Sequence, residues 1–182
     1  MKFISGGLPG VITVVPTVHS DARGYFMETW QALRFREAGI DVDFVQDNFS
    51  HSSKGTLRGL HYQIKQPQGK LVRVVLGEVF DVAVDLRKSS PNFGRWMGEI
   101  LSAENKHQLW VPPGFAHGFL VLSETAAFEY KCTDYYAPEF ERSLRWDDPG
   151  VGIEWPLPAG EQPVLSAKDE VAPFLNDAET YA

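Results

Sequence analysis

The stretch Gly77-Glu78-Val79-Phe80-Asp81-Val82-Ala83-Val84-Asp85-Leu86 alternates with a period of two. In an extended chain Phe80, Val82, Val84 and Leu86 fall on one face, and Val79, Asp81, Ala83 and Asp85 on the other. That pattern predicts a half-buried strand. Immediately upstream, Lys70 to Leu76 is rich in Val and Leu, and Gly77-Glu78 leaves a hairpin-sized gap between the two runs. Further short apolar runs follow at Trp96 to Leu101, Gln108 to Val111, Phe119 to Leu122 and Ala126 to Cys132. They are punctuated by Ser89-Ser90-Pro91, Pro112-Pro113-Gly114 and Ser123-Glu124. Many short strands with turn signals between them point to an all-β sandwich or barrel. Helical signal is thin: Gln31 to Ala38, closed by Gly39, predicts one short helix, and the segment after Asp147-Asp148-Pro149 is expected to add a turn or two. With no internal repeat, low-complexity tract or linker, residues 1–182 are read as one domain.

Composition narrows the partners. Hydrophobic residues make up 43% of 182 positions, an ordinary globular share. The formal net charge of -7 has the wrong sign for a chain that wraps a nucleic acid, so any anionic ligand needs a local basic cluster. A lone Cys132 can build neither an internal disulfide nor a thiolate zinc site, which fits a reducing cytoplasm. Gly6, Gly7, Pro9 and Gly10 interrupt the N-terminal apolar stretch before it could serve as a signal-peptide core. The uncharged run from His107 to Ser123 contains Pro112, Pro113, Gly114 and Gly118 and makes no regular membrane-spanning helix.

Several chemistries lose their motifs. No strand leads into Gly-x-Gly-x-x-Gly, the dinucleotide fingerprint, and Gly69-Lys70 is not a phosphate loop because position 64 is Ile where that motif needs Gly. Metal-binding jelly rolls usually offer two His one residue apart, whereas His19, His51, His61, His107 and His117 are isolated. What remains is a set of titratable groups. In Arg58-Gly59-Leu60-His61-Tyr62-Gln63-Ile64, alternation puts Leu60, Tyr62 and Ile64 on one face and His61 and Gln63 on the other. Lys70 shares an apolar face with Val72, Val74 and Leu76, where its amine demands a partner or a function. Tyr130 belongs with Ala126, Phe128 and Cys132. Taken singly, Tyr130 reads as a core tyrosine, His61 and His117 as structural histidines, and Arg58, Lys70 and Arg73 as charges at strand ends.

Taken together, the segments say more. Phe44-Val45-Gln46-Asp47-Asn48, Lys54-Gly55-Thr56-Leu57-Arg58-Gly59-Leu60-His61-Tyr62-Gln63, Gln68-Gly69-Lys70-Leu71-Val72-Arg73 and Gly77 to Asp85 closely resemble the dTDP-4-dehydrorhamnose 3,5-epimerase family. The likeness continues through Ser102-Ala103-Glu104-Asn105, Pro113 to Phe119, Tyr130 to Pro138 and Leu165-Ser166-Ala167-Lys168-Asp169, in order along nearly the whole chain. One departure is the loop Ile64-Lys65-Gln66-Pro67-Gln68, a residue shorter than in the family and without its paired prolines.

The resemblance implies a cupin-type jelly roll, a homodimer with strands exchanged between protomers, no metal or organic cofactor, and a dTDP-4-keto-6-deoxy sugar as substrate. In such a ketone C3 and C5 both flank the C4 carbonyl, so each can be deprotonated to an enolate and reprotonated on the opposite face. By resemblance His61 is the base, a role that suits a side chain titrating near neutral pH. Asp169 then orients the imidazole, Tyr130 donates the proton from the other side, and Lys70 places positive charge beside the C4 oxygen. Arg23, Glu28, Gln46, Asp47, Asn48, Arg58, His117, Glu141 and Lys168 match substrate-contacting positions, and Tyr136 matches the residue that stacks on thymine. Arginine suits the diphosphate because its planar fork donates two parallel hydrogen bonds. Two other readings compete: inversion at C3 alone or C5 alone, or ketone isomerisation, on the same scaffold; and a non-catalytic carbohydrate-binding jelly roll.

Overall fold

The computed structural model describes residues 1–158 and 160–182. The chain opens with four short strands, β1 (Lys2–Ser5), β2 (Ile12–Val15), β3 (Val18–Asp21) and β4 (Gly24–Met27), then helix α1 (Ala32–Glu37). There follow β5 (Gln46–Ser53), β6 (Leu57–Gln63), β7 (Lys70–Leu76), β8 (Glu78–Asp85), β9 (Trp96–Ser102), β10 (Gln108–Val111), β11 (Phe115–Val121) and β12 (Thr125–Cys132). The chain finishes with β13 (Glu141–Ser143) and a one-turn helix α2 (Ala167–Glu170). A six-stranded sheet in the order β1-β2-β10-β7-β12-β5 faces a five-stranded sheet in the order β13-β6-β11-β8-β9, and β3 and β4 form a separate two-stranded ribbon. Helix α1 forms where Gln31 and Gly39 predict it. The Gln31 side chain accepts from Arg34 N at 2.7 Å, and Gly39 supplies the left-handed φ of +86° beyond the end. Phe35 of this helix buries against Val14, Leu71 and Trp110 on the outer face of the six-stranded sheet.

Strand β8 departs from the expected half-buried pattern, because both of its faces are covered. Val79 and Ala83 point between the sheets and pack with Val72, Val74, Phe119 and Phe128. Val82, Val84 and Leu86 point the other way and join Leu60, Tyr62, Ala116 and Leu144, over which Trp155, Leu175 and Tyr181 of the C-terminal chain close. The tail is tied down by main-chain bonds, Tyr181 N to Leu86 O at 3.1 Å and Lys88 N to Tyr181 O at 3.0 Å, and by Tyr181 Oη donating to Gln63 O at 2.6 Å. Asp81 and Asp85, which alternation assigns to solvent, are both 0% exposed. Buried carboxylates need partners, and Asp85 has them: Arg87 Nε at 2.8 Å, Arg87 Nη2 at 2.7 Å and Ser90 Oγ at 2.6 Å.

The gap at Gly77-Glu78 is not a hairpin. β7 lies in one sheet and β8 in the other, so these two residues carry the chain across the sandwich. Gly77 makes the turn at φ +77°, and a Cβ there would sit 2.1 Å from Thr125 O and 2.3 Å from Ser123 Oγ. The short loop after Gln63 closes with Gln66 at φ +49°, while Gln63 Nε2 donates to Gln66 O at 2.7 Å and Gln68 Nε2 to Asp134 O at 2.8 Å.

Gly77→Ala combines a strained φ with a backbone clash and is expected to cost about 2–4 kcal/mol of stability. Urea unfolding would measure it, and an unchanged midpoint would show that the crossover tolerates a side chain.

Candidate functional site

The site begins with a defect in a ladder. β6 and β11 pair His61 with His117 but Arg58 with Phe119, so β6 carries one extra residue between the two pairs. Strict alternation would turn Arg58 to the face of Leu60 and Tyr62. The bulge reverses this, and Arg58 and His61 line the same cavity. Gly59 permits the reversal at φ +125°; a Cβ on it would lie 2.6 Å from Gly118 Cα and 2.9 Å from His117 O.

The cavity, about 710 Å³, opens between the sheets and brings together Asn48, Arg58, His61, Lys70, His117, Tyr130, Lys168 and Asp169. His61 Nε2 lies 2.6 Å from Asp169 Oδ1, and Asp169 Oδ2 accepts from Ser166 Oγ at 2.9 Å. Asp169 reaches this place because Val164 is zipped to the start of β6, with Leu57 N donating to Val164 O at 3.0 Å and Val164 N to Gly55 O at 2.8 Å. Burial pulls the Asp169 carboxyl upward, but the hydrogen bond and charge of His61, with Ser166 and Lys168, hold it below the ordinary value.

Tyr130 and Lys70 stand on the opposite wall, on β12 and β7 of the six-stranded sheet. Burial, reinforced by the neighbouring Cys132, pushes the Tyr130 hydroxyl up to about 12. Burial moves the Lys70 amine the other way, below the ordinary lysine value, although Cys132, Asp81 and Glu141 pull it back. The Lys70 amine sits 5.9 Å from the centre of the Tyr130 ring.

A second carboxylate–histidine pair lies at the bottom of the cavity. His117 Nε2 is 2.9 and 3.0 Å from the two oxygens of Asp81, and its ring stacks on Phe128 at 6.2 Å. Burial raises the Asp81 carboxyl, opposed by His117 and Lys70. At the mouth, Lys168 Nζ donates to Glu141 Oε1 at 2.8 Å, Tyr136 Oη approaches Glu141 Oε2 at 3.3 Å, and Tyr136 N donates to Gln46 Oε1 at 2.8 Å. Gln46 in turn donates to Asn48 at 3.1 Å, so Gln46, Tyr136 and Glu141 extend the site outward.

Three residues expected in the site stand elsewhere in the single chain. Arg23 pairs with Asp21 on the β3–β4 ribbon, and Glu28 pairs with Arg34. Asp47 lies on the outer face of its sheet, where the register aligns it with Lys131 and the two ion-pair at 3.0 Å. Sequence reasoning missed Asp81 and Ser166. Asp81 hides in a period that reads as solvent-facing; Ser166 carries the signal of a helix N-cap three residues before the carboxylate it touches.

Two facing sheets wound in this order form a cupin-like jelly roll with a sugar-sized cavity between them. Residues 6–177 match the family model described as dTDP-4-dehydrorhamnose 3,5-epimerase. A relative of that name from Pseudomonas aeruginosa is 57% identical over 182 residues, covering 100% of this chain and 99% of its own. The crystal structure of dTDP-6-deoxy-D-glucose-3,5-epimerase from Legionella pneumophila Philadelphia 1, in complex with dTDP-4-keto-L-rhamnose, is 56% identical with a TM-score of 0.93. It covers 97% of this chain and 93% of that one. A 3'-monoepimerase from Streptomyces bikiniensis in complex with dTDP-quinovose is 38% identical, TM-score 0.87, over 93% and 86% of the two chains. This chain belongs to the dTDP-4-dehydrorhamnose 3,5-epimerase family, whose members are isomerases.

Because the folded Asp169 carboxyl sits below its ordinary value of 3.8, it favours the folded state fully above that pH. The contribution is lost as pH falls through the lower, folded value. The stability gap between wild type and Asp169→Asn is therefore expected to shrink as pH falls below about 4. Denaturant titrations from about pH 5 downward test it; a gap that widens below about pH 4 would contradict the assigned direction.

Proposed function

We propose that this chain inverts both C3 and C5 of dTDP-4-dehydro-6-deoxy-D-glucose to give dTDP-4-dehydro-L-rhamnose, through an enolate and without a bound cofactor. The observation that carries the reading is the arrangement of proton-handling groups: a carboxylate-paired His61 on one sheet and a proton-retaining Tyr130 on the other, facing one cavity. Inversion requires removal of a proton from one face of the ring and delivery to the other, and facing sheets supply the two sides. His61 takes the proton from C3, and the electron pair moves onto the C4 oxygen. Lys70 stabilises that oxygen where the charge develops. Tyr130 returns a proton to the opposite face of the carbon. After one inversion His61 holds an extra proton and Tyr130 lacks one. Tyrosinate, conjugate to a hydroxyl at about 12, recovers its proton from solvent, and His61 releases its own before the same pair acts at C5.

Arg58 and Lys168 supply the basic cluster that a diphosphate needs on a chain of net charge -7. Tyr136 at the mouth stacks on thymine, with Gln46, Asn48, His117 and Glu141 completing the contacts; Asp47, on the outer face, is left out. We further propose a homodimer. The β3–β4 ribbon carries Arg23 and Glu28 away from its own cavity and leaves Tyr25 59% and Phe26 71% exposed, as a segment reaching a partner's site would. We place the enzyme in the cytoplasm, where the unpaired Cys132 thiol persists. The full-length relatives at 56–57% identity are named 3,5-epimerases, whereas the monoepimerase is at 38%, which favours double over single inversion.

In deuterated water the wild type is expected to label both C3 and C5 of the 4-keto sugar; label at one position identifies a monoepimerase, and none a binding protein. His61→Ala should lower exchange at both carbons by on the order of 10²- to 10⁴-fold. Tyr130→Phe should still exchange substrate protons through His61 while inverting far more slowly, so an unchanged ratio of exchange to inversion would remove Tyr130 from the donor role. Sedimentation at micromolar concentration is expected to give a dimer, and an active protein that stays monomeric would contradict the exchanged-ribbon arrangement.

A further inference from the structure

We infer that Ser166 is a positioning residue of the acid–base machinery, holding the Asp169 carboxylate so that one oxygen stays aimed at His61. The inference rests on the epimerase reading for its catalytic consequence, and on geometry alone for the positioning.

A carboxylate rotates easily about its last torsion and has two equivalent oxygens. Fixing one hydrogen bond leaves it free to rock; fixing both oxygens sets its plane. Here Oδ1 meets His61 Nε2 at 2.6 Å, and among the described residues the hydrogen-bond partner of Oδ2 is Ser166 Oγ at 2.9 Å. The same serine caps the turn that carries Asp169. Its carbonyl accepts from Asp169 N at 2.9 Å and Glu170 N at 3.1 Å, and its hydroxyl lies 3.3 Å from Asp169 N. A four-residue helix is too short to hold its own shape, so its orientation depends on such ties. Just beyond it, Arg145 N donates to Pro173 O at 2.9 Å and Leu175 N donates to Asp148, which tie down the chain that leaves the turn. The other charges facing the pair, Glu141 from β13 and Lys168 from α2, are bonded to each other at 2.8 Å and leave the second oxygen to the serine. A hydroxyl that donates to Oδ2 also favours the ionised carboxylate, so a proton gained by the dyad stays on the imidazole, from which it can leave.

The test separates the hydroxyl from the cap. Glycine is nearly as good an N-cap as serine but has no hydroxyl, and threonine keeps both. Ser166→Gly and Ser166→Ala are expected to lower kcat about tenfold with KM unchanged, and Ser166→Thr to restore it. Exchange and inversion should fall together, unlike in Tyr130→Phe. In the substrate-free protein, the proton resonance of the His61–Asp169 hydrogen bond should shift or broaden in Ser166→Gly and return in Ser166→Thr. Wild-type kcat and resonance in Ser166→Gly, a rise in KM alone, or a threonine variant as slow as the glycine one would each overturn the inference. Should the wild type fail to epimerise any 4-keto sugar, the function reading falls, and the resonance decides the positioning by itself.

Discussion

A strand with no solvent face governs this structure. β8 presses Val79 and Ala83 against the six-stranded sheet and turns Val82, Val84 and Leu86 to the other side, where apolar surface must also be covered. Among the described residues no further sheet covers the five-stranded one; the C-terminal chain crosses it instead, laying Trp155, Leu175 and Tyr181 over the strand. That need for cover routes the chain past β6 and delivers Asp169 to His61. Packing on the outside of the sandwich thereby sets the chemistry on its inside.

One physical cause, withdrawal from water, tunes both groups on the opposite wall in opposite directions. Burial favours the neutral form of any side chain, so it keeps the proton on Tyr130 and loosens it on Lys70. In the proposed mechanism the tyrosine is then a donor that keeps its proton until it is used. The lysine becomes a group whose charge is sustained by its acidic neighbours, Asp81 and Glu141 among them. Asp81 is the hinge of this balance, since it faces His117 and Lys70 together.

Much of this was legible in the residues. The strand β7 begins at Lys70 and ends at Leu76 as its Val-rich run suggests, α1 forms between its glutamine cap and Gly39, and His61 turns away from Leu60 and Tyr62 as alternation requires. Three features resisted reading, each for a physical reason. Gly77-Glu78 has the length of a hairpin, but length cannot tell a turn within one sheet from a passage between two. The bulge at Gly59 shifts the phase of β6, so no period computed across it places Arg58 correctly. Asp81 looks solvated because the pattern of one strand carries no trace of the histidine two strands' worth of sequence away that pairs with it. The residues Arg23 and Glu28 are a different matter: they entered by family resemblance alone, and the structure pairs Arg23 with Asp21 in the β3–β4 turn and Glu28 with Arg34 after β4.

The dyad also has a history written into chain order. His61 and Asp169 are separated by 108 residues, and the carboxylate sits on a turn that follows every strand of both sheets in chain order. During synthesis His61, Lys70 and Tyr130 all precede Asp169 out of the ribosome. A chain cut short of residue 169 loses the carboxylate beside His61 and, with Leu175 and Tyr181, part of the cover of the five-stranded sheet, so the dyad and the completion of the fold depend on the same C-terminal segment.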